Sequence, residues 1–317
     1  MINQDCLINP LGTSEKVITI IQEHLHGVHK YTSPIKELFT KIAKINGVKE
    51  EQVFVTDGAD GALTLIAQSI FKGKKIIIPQ PCFHRYKKYP SYLKVKYELV
   101  KAKNGIFFDE EGILKKEGDI LLIASPNNPT GFTISNEFLE QSLKKFEKVI
   151  LDETLLLTLG GKQDHIKKFP NLIIVRSFSK LFGLAGLRVG YVISSEENIQ
   201  KIKSVSTPYK VNYLGQIAAL TVLDDEEYIK RTQEFVEEQR ILLYGALKNE
   251  NIRKSESLCY CLSLTEPQQK KIAENGINLQ KNINCCYNKK EDHFFRFTIG
   301  IPKKNHSLIR ALVGEQK

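Results

Sequence analysis

The chain lacks the signals that direct a protein out of the cell or into a membrane. No apolar run approaches the roughly 20 residues that cross a bilayer, and the N-terminus has no charged-then-apolar leader. The six cysteines form no C-x-x-C pair and show no zinc spacing. Cys259 and Cys261 stand too close for an ordinary disulfide to each other, as do Cys285 and Cys286. We therefore expect reduced thiols in a soluble, cytoplasmic protein.

The basic residues, although in excess, form no concentrated stripe. The 317 residues carry a formal charge of +10, but lysine clusters such as 72–75 and 87–88 stay short. A nucleic-acid-binding protein usually gathers its basic residues on one face with aromatic residues between them. The dispersed pattern predicts a solvated basic surface that attracts anionic small molecules, with no nucleic-acid partner.

Three histidines lie close together in sequence, at His24, His26 and His29. Their spacing alternates round the predicted end of a helix, and no carboxylate pattern joins them. A metal centre needs ligands that converge on one point. We therefore expect an exposed histidine cluster and no metal site.

Apolar, β-branched segments alternate with helical patterns along most of the chain, without repeats or long linkers. This alternation predicts an α/β fold whose sheet is largely parallel and covered by helices on both faces. Ligands of such folds bind beyond the carboxyl ends of the strands, which is where the polar motifs fall. The seven candidate strands are 52–56, 75–78, 95–100, 120–124, 149–151, 172–175 and 189–193.

The pattern changes near residue 211, where long helices and then short strand-like pieces begin. Residues 228–247 predict a long amphipathic helix, and 258–264 and 294–299 have the apolar composition of strands. We expect an N-terminal arm at 1–30 that packs with the small domain. A large domain at 31–223 and a small α+β domain at 224–317 complete the predicted organisation.

The most informative segment follows the apolar strand 172–175. Lys180 stands just past the predicted strand end, where partial desolvation lowers the pKa of an amine and makes it nucleophilic toward carbonyls. Ser177, Ser179 and Arg188 are suitable donors for a phosphate. A lysine beside a phosphate cradle is what a pyridoxal phosphate (PLP) enzyme needs. The four residues Ser177–Lys180 alone would favour a strand-turn-strand crossing with a solvated lysine, because short motifs recur by chance.

Four other predicted loops contain residues that suit the same ligand. Ala59 and Asp60 open a helix, whose free N–H groups favour phosphate, although an ordinary βα turn explains them as well. Phe83 offers an aromatic face but would also serve in a core. Asn128 can donate its amide to a phenolate-like oxygen. Asp152 ends an apolar strand, and a buried carboxylate there needs a cationic partner such as a protonated pyridine nitrogen.

The run 175–191 and the Asn128-Pro129-Thr130-Gly131 motif closely resemble fold-type I PLP-dependent aminotransferases of class I and II. The residue sequence of this run is most similar to that of histidinol-phosphate aminotransferases, and the resemblance covers nearly the whole chain. It implies that Lys180 is the Schiff-base lysine and Asp152 the partner of the pyridine nitrogen. The other cofactor-binding residues that it implies are Ala59, Asp60, Phe83, Asn128, Ser177, Ser179, Arg188 and Tyr31.

The same resemblance implies substrate contacts and a homodimer. Arg296 matches the arginine that binds a substrate carboxylate, and Asn9 and Asn212 match segments near the substrate. Tyr31 resembles the tyrosine that reaches the phosphate of the neighbouring subunit, which implies composite sites in a homodimer.

One departure concerns the segment after Asp152. The Asp-Glu-Ala-Tyr of the family is replaced by Asp152-Glu153-Thr154-Leu155, so a tyrosine that donates to the phenolic oxygen of PLP is missing. Losing one of two donors changes the pKa of the bound cofactor or the reaction preference.

Three functions therefore stay open. The first is an aminotransferase for a small, phosphorylated or aromatic amino compound such as histidinol phosphate, with 2-oxoglutarate as an acceptor. The second is a decarboxylase of a phospho-amino acid, because threonine-phosphate decarboxylases resemble this chain too. The third is a PLP-binding protein without turnover, against which the intact lysine, aspartate and arginine argue.

Overall fold

The computed structural model describes residues 2–103, 106–250, 252, 254–281 and 294–314. Helices and strands alternate through the first two thirds of the chain, as the sequence predicts. The helices are α1 Glu15–His24, α2 Lys36–Asn46, α3 Gly58–Ile70, α4 Lys88–Tyr92, α5 Glu110–Leu114, α6 Asn136–Lys145, α7 Glu196–Ser204, α8 Tyr213–Val222, α9 Glu226–Leu247, α10 Glu266–Glu274 and α11 Pro302–Val313. The strands are β1 Ile2–Asn3, β2 Val53–Thr56, β3 Ile76–Pro79, β4 Tyr97–Val100, β5 Ile120–Ala124, β6 Lys148–Asp152, β7 Leu172–Ser177, β8 Gly190–Ser194, β9 Cys259–Ser263, β10 Ile277–Asn278, β11 Gln280–Lys281 and β12 Phe294–Thr298.

The large sheet has seven strands in the order β2-β8-β7-β6-β5-β3-β4. Only β8 runs antiparallel to its neighbours, because the chain returns from β7 through a short loop without the long crossover that parallel strands require. The predicted seven-stranded, mostly parallel sheet is confirmed. The prediction for 95–100 began two residues early, since β4 starts at Tyr97.

Both faces of this sheet are buried, which explains why its strands are continuous apolar runs. Successive side chains of β5 point to opposite faces: Leu121 and Ile123 join one core cluster, whereas Ile120 and Leu122 join the other. Helices α2, α6 and α8 contribute to the first cluster, and α3 and α7 contribute to the second. The two helical layers hold the carboxyl ends of the parallel strands at one edge.

The C-terminal part has its own sheet and core. Strands β11, β12 and β9 pair antiparallel, and Leu243 of α9 packs with Tyr260 and Phe297. The N-terminal arm joins this part because β1 pairs in parallel with β10. The amide of Gln4 also donates to the carbonyl oxygen of Thr298 at 3.2 Å. The arm therefore runs from the small sheet toward the edge where the parallel strands end.

Two findings concern the signals that the sequence lacks. Within the described ranges, no helix has both the length and the apolar composition needed to cross a membrane. Among the described residues, Cys6, Cys82, Cys259 and Cys261 form no disulfide, whereas Cys285 and Cys286 lie outside the described residues.

Candidate active site

Lys180 lies in the loop that follows β7, in contact with the N-terminal arm. Its Nζ donates a hydrogen bond to the carbonyl oxygen of Leu7 at 2.6 Å. Burial, together with the positive charges of Arg296 and Arg188, lowers the pKa of Lys180 from its ordinary value of 10.5 to about 8. Roughly a tenth of the amine is thus neutral at pH 7, and a nucleophilic lysine requires the neutral form.

Asp152, the last residue of β6, is a buried carboxylate whose oxygens both accept hydrogen bonds. The hydroxyl of Tyr86 donates to Oδ2 at 2.6 Å, and the backbone N–H of Thr154 donates to Oδ1 at 2.8 Å. Burial raises the pKa of Asp152, which is 6% exposed, and the hydrogen bonds from Thr154 and Tyr86 oppose that rise. Both donors are neutral, so the site is suited to a cationic ligand atom.

Ser177, Ser179 and Arg188 line the same cavity as the first turn of α3. The two serine hydroxyls lie 2.8 Å apart. A Cβ on Gly58, whose φ is +82°, would lie 2.9 Å from Nη2 of Arg188. The guanidinium therefore lies directly over the first turn of α3. Hydroxyls, an arginine and free helical N–H groups together form an anion site.

The carboxylate of Asp60 is held by two neighbouring side chains. Its Oδ1 lies 3.0 Å from Nε of Arg85 and accepts a hydrogen bond from the hydroxyl of Tyr89 at 2.8 Å. The negative charge is thereby balanced by Arg85. What Asp60 offers an anion is its backbone N–H at the start of α3.

A cavity of about 170 Å³ brings most of the predicted residues together. Nine of its lining residues were predicted from the sequence: Ala59, Asp60, Phe83, Asn128, Asp152, Ser177, Ser179, Lys180 and Arg188. Leu155, which was expected beside the phenolic oxygen of the cofactor, also lines the cavity. The other lining residues were not predicted as site residues: Leu7, Leu63, Tyr86, Ala124, Pro126 and Thr154.

Arg296 orients Asn128 from the small sheet. Its Nη1 donates to Oδ1 of Asn128 at 2.8 Å, and its Nη2 donates to the carbonyl oxygen of Asp5. Because the amide oxygen of Asn128 is engaged, its NH₂ group is left as the donor. Burial lowers the pKa of Arg296. Arg296 thus connects the small sheet, through hydrogen bonds, to the N-terminal arm and to Asn128 in the cavity wall.

Besides Arg296, three predicted residues do not line the cavity. The amide of Asn9 donates to the carbonyl oxygens of Lys180 and Leu181, at 3.2 and 2.9 Å, and so fixes the backbone of the lysine loop. Asn212 caps α8 through Gly215 N and donates to the carbonyl oxygen of Leu187. The side chain of Tyr31 is 87% exposed, 5.2 Å from the ring of Tyr209. The substrate role of Asn212 and the intersubunit role of Tyr31 stay predictions.

Sequence reasoning missed Leu7 and Tyr86. Leu7 comes from an arm that is distant in sequence, and no local pattern signals its position. Tyr86 follows Phe83 by three residues in a turn, and that spacing brings the two rings into edge-on contact. Leu155 is 4% exposed and packs against Leu7 and Cys259. An apolar contact with the arm therefore stands where the family has a tyrosine hydroxyl.

The donor set fits PLP. It combines an amine of lowered pKa, a buried carboxylate without a cationic donor, an anion site and an aromatic face, which are the groups that bind and tune this cofactor. In the part of the chain that the structure describes, no group of three or more metal-binding side chains occurs. Nδ1 of His24 lies 2.6 Å from the hydroxyl of Tyr213, and Nδ1 of His29 lies 2.7 Å from the carbonyl oxygen of His26.

Comparisons with known proteins show the family of the chain. The profile of the family described as aminotransferase class I and II matches residues 8–312. The histidinol-phosphate aminotransferase of Staphylococcus carnosus is 30% identical over 319 residues, which cover 96% of this chain and 88% of that protein.

Two solved structures share the fold. The histidinol-phosphate aminotransferase from Clostridium acetobutylicum has a TM-score of 0.89 at 24% identity, covering 99% of this chain and 98% of that one. The L-threonine-O-3-phosphate decarboxylase from Porphyromonas gingivalis has a TM-score of 0.85 at 22% identity, with the same coverage of both chains. The fold-type I architecture expected from the sequence is confirmed.

Proposed function

The chain belongs to the PLP-dependent aminotransferases of class I and II, and we propose that it transfers an amino group from histidinol phosphate to 2-oxoglutarate. The similarity to the S. carnosus enzyme over 96% of the chain supports this choice of substrate. The observation that carries the proposed reaction is the cavity that holds a lysine of lowered pKa together with a buried aspartate.

PLP, when bound, supplies an electron-withdrawing ring that accepts the electrons left at the substrate Cα. In our proposal Asp152 holds the proton at the ring nitrogen and Phe83 packs against the ring. The NH₂ group of Asn128 donates to the phenolic oxygen. The anion site of Ser177, Ser179, Arg188 and the first turn of α3 binds the phosphate.

Lys180 has the second task of moving a proton. Its amine, once free, takes the proton from the substrate Cα and later returns one, acting first as general base and then as general acid. A pKa near 8 suits Lys180 both for removing and for returning the proton, because this pKa lies close to the working pH. Arg296 would bind an anionic group of the amino or oxo-acid substrate.

The assay combines purified protein, PLP, histidinol phosphate and 2-oxoglutarate, and measures glutamate. We expect glutamate that depends on both substrates and disappears in Lys180→Ala. A parallel reaction with threonine phosphate measures carbon dioxide. Carbon dioxide release without glutamate formation would overturn the aminotransferase proposal in favour of the decarboxylase.

The quaternary structure and location are part of the same proposal. We propose a cytoplasmic homodimer in which Tyr31 reaches the phosphate site of the partner subunit. The adjoining exposed rings of Tyr31 and Tyr209 form an aromatic patch that supports an interface at this position. We also keep the division into an arm at 1–30, a large domain at 31–223 and a small domain at 224–317. The pairing of β1 with β10 supports an arm that packs with the small domain.

A further inference from the structure

Tyr86 touches both side chains that flank the proposed ring of the cofactor. Its hydroxyl donates to Oδ2 of Asp152 at 2.6 Å. Its ring meets the ring of Phe83 edge-on, with a centroid distance of 5.8 Å and an interplanar angle of 85°. Tyr86 lines the cavity and is only 1% exposed. A single buried side chain therefore fixes the position of two groups that belong to different loops.

The hydrogen bonds at Asp152 leave acceptor capacity on the carboxylate. An ionised carboxylate has about four acceptor positions, of which Thr154 N–H and Tyr86 O–H use one on each oxygen. These two donors, from different segments, determine the plane of the carboxylate. The remaining lone pairs are available to a donor in the cavity.

We propose that Tyr86 is a positioning residue for PLP, which aims Asp152 at the ring nitrogen and keeps the shared proton on that nitrogen. A hydrogen bond to a carboxylate favours its ionised form. Without the phenol, the carboxylate gains proton affinity and competes with the ring nitrogen for the proton. This inference rests on the proposed PLP site and adds a residue that contacts the carboxylate.

Other titratable groups lie near Asp152 and also affect the pH dependence of PLP binding. The negative charge of Asp60, from α3, raises the pKa of Asp152, and Lys180 shares the cavity from the loop after β7. Burial raises the pKa of Tyr86 well above its ordinary range and that of Cys82 to about 12. Tyr86 therefore stays a donor across the range in which Asp152 titrates.

The test measures the dissociation constant of PLP between pH 5 and pH 8 for wild type and Tyr86→Phe. The variant keeps the ring and loses only the hydroxyl. We expect the acidic limb of the binding profile to move up by about one pH unit, with about tenfold weaker binding on that limb. The nitrogen-15 chemical shift of ring-labelled PLP should move toward that of the unprotonated ring.

A double-mutant cycle separates this role from general packing. In an Asp152→Asn background the carboxylate is absent, so Tyr86→Phe should cause little further loss of PLP affinity. Tyr86→His, which returns a ring N–H donor, should restore part of the wild-type profile. Tyr260→Phe is the matched control, because it removes another buried hydroxyl, bonded to the carbonyl oxygen of Arg240 at 2.8 Å in the small sheet.

The results distinguish two failures. A wild-type pH profile and nitrogen-15 shift in Tyr86→Phe, or equal losses in both backgrounds, would overturn the role of Tyr86 alone. Failure of the wild type to bind PLP would overturn the proposed function itself. Thermal unfolding of the PLP-free variants shows whether each one folds.

Discussion

At the scale of single residues, Lys180 illustrates how a reactive group lowers the stability of the fold. Below about pH 8 the lysine is charged in both the folded and the unfolded chain, so the folded chain carries the full burial penalty. Between about pH 8 and its ordinary pKa of 10.5, the unfolded chain holds more protons, and stability must rise with pH.

We therefore predict that Lys180→Met gains stability at pH 7 relative to wild type, both without PLP. The penalty from burial and the neighbouring arginine charges is on the order of 3 kcal/mol, from which the lost hydrogen bond to Leu7 subtracts about 1 kcal/mol. The advantage should shrink toward pH 10. Urea unfolding at both pH values provides the measurement, and an advantage that does not change with pH would contradict the depressed pKa.

Leu155 is the second residue with a specific expectation. Leu155→Tyr adds atoms to a buried contact with Leu7 and Cys259, and such overpacking costs about 1–3 kcal/mol. Leu155→Met conserves volume and should cost less than about 1.5 kcal/mol. Urea unfolding of both variants compares them. A Tyr variant as stable as wild type would mean that the N-terminal arm accommodates the larger side chain without loss of unfolding free energy.

At the scale of elements, the contact between β8 and the N-terminus of α3 forms the proposed phosphate site. A Cβ on Gly190 would lie 2.7 Å from the carbonyl carbon of Gly58 and 2.9 Å from the backbone nitrogen of Ala59. These are backbone atoms, which cannot rotate away.

Gly190→Ala should therefore push α3 off the sheet and weaken PLP binding at least tenfold, since the donors to the phosphate separate. Gly186→Ala is the control, because a Cβ there meets no atom within 4 Å. Fluorescence titration with PLP measures both variants. Equal affinities would show that the phosphate is held elsewhere.

Much of this arrangement could be predicted from local sequence. The apolar runs located the strands, and the polar residues after them, Asn128, Asp152 and Lys180, had to meet at one edge because parallel strands end there. The path of the arm could not be predicted, since Leu7 reaches Lys180 through pairing of β1 with a strand some 270 residues later. Tyr86 was missed because the sequence alone does not distinguish a tyrosine that bonds Asp152 from one that only packs in the core.

At the scale of the whole molecule, the proposed dimer with shared sites predicts complementation. Lys180→Ala and Tyr31→Ala are each expected to be nearly inactive. In mixed dimers, one site combines an intact Lys180 with an intact Tyr31 from the partner chain. Random mixing should restore activity at about a quarter of the sites. No recovery after unfolding and refolding the two variants together would contradict sites shared between subunits.

The most direct test of the central claim is to find the lysine that binds PLP. Protein incubated with PLP is reduced with borohydride and digested, and the modified peptide is identified by mass spectrometry. We predict a single stoichiometric adduct on Lys180, the lysine whose pKa burial lowers to about 8. An adduct on another lysine, or none above the level of exposed surface lysines, would contradict the assignment of this cavity as the active site.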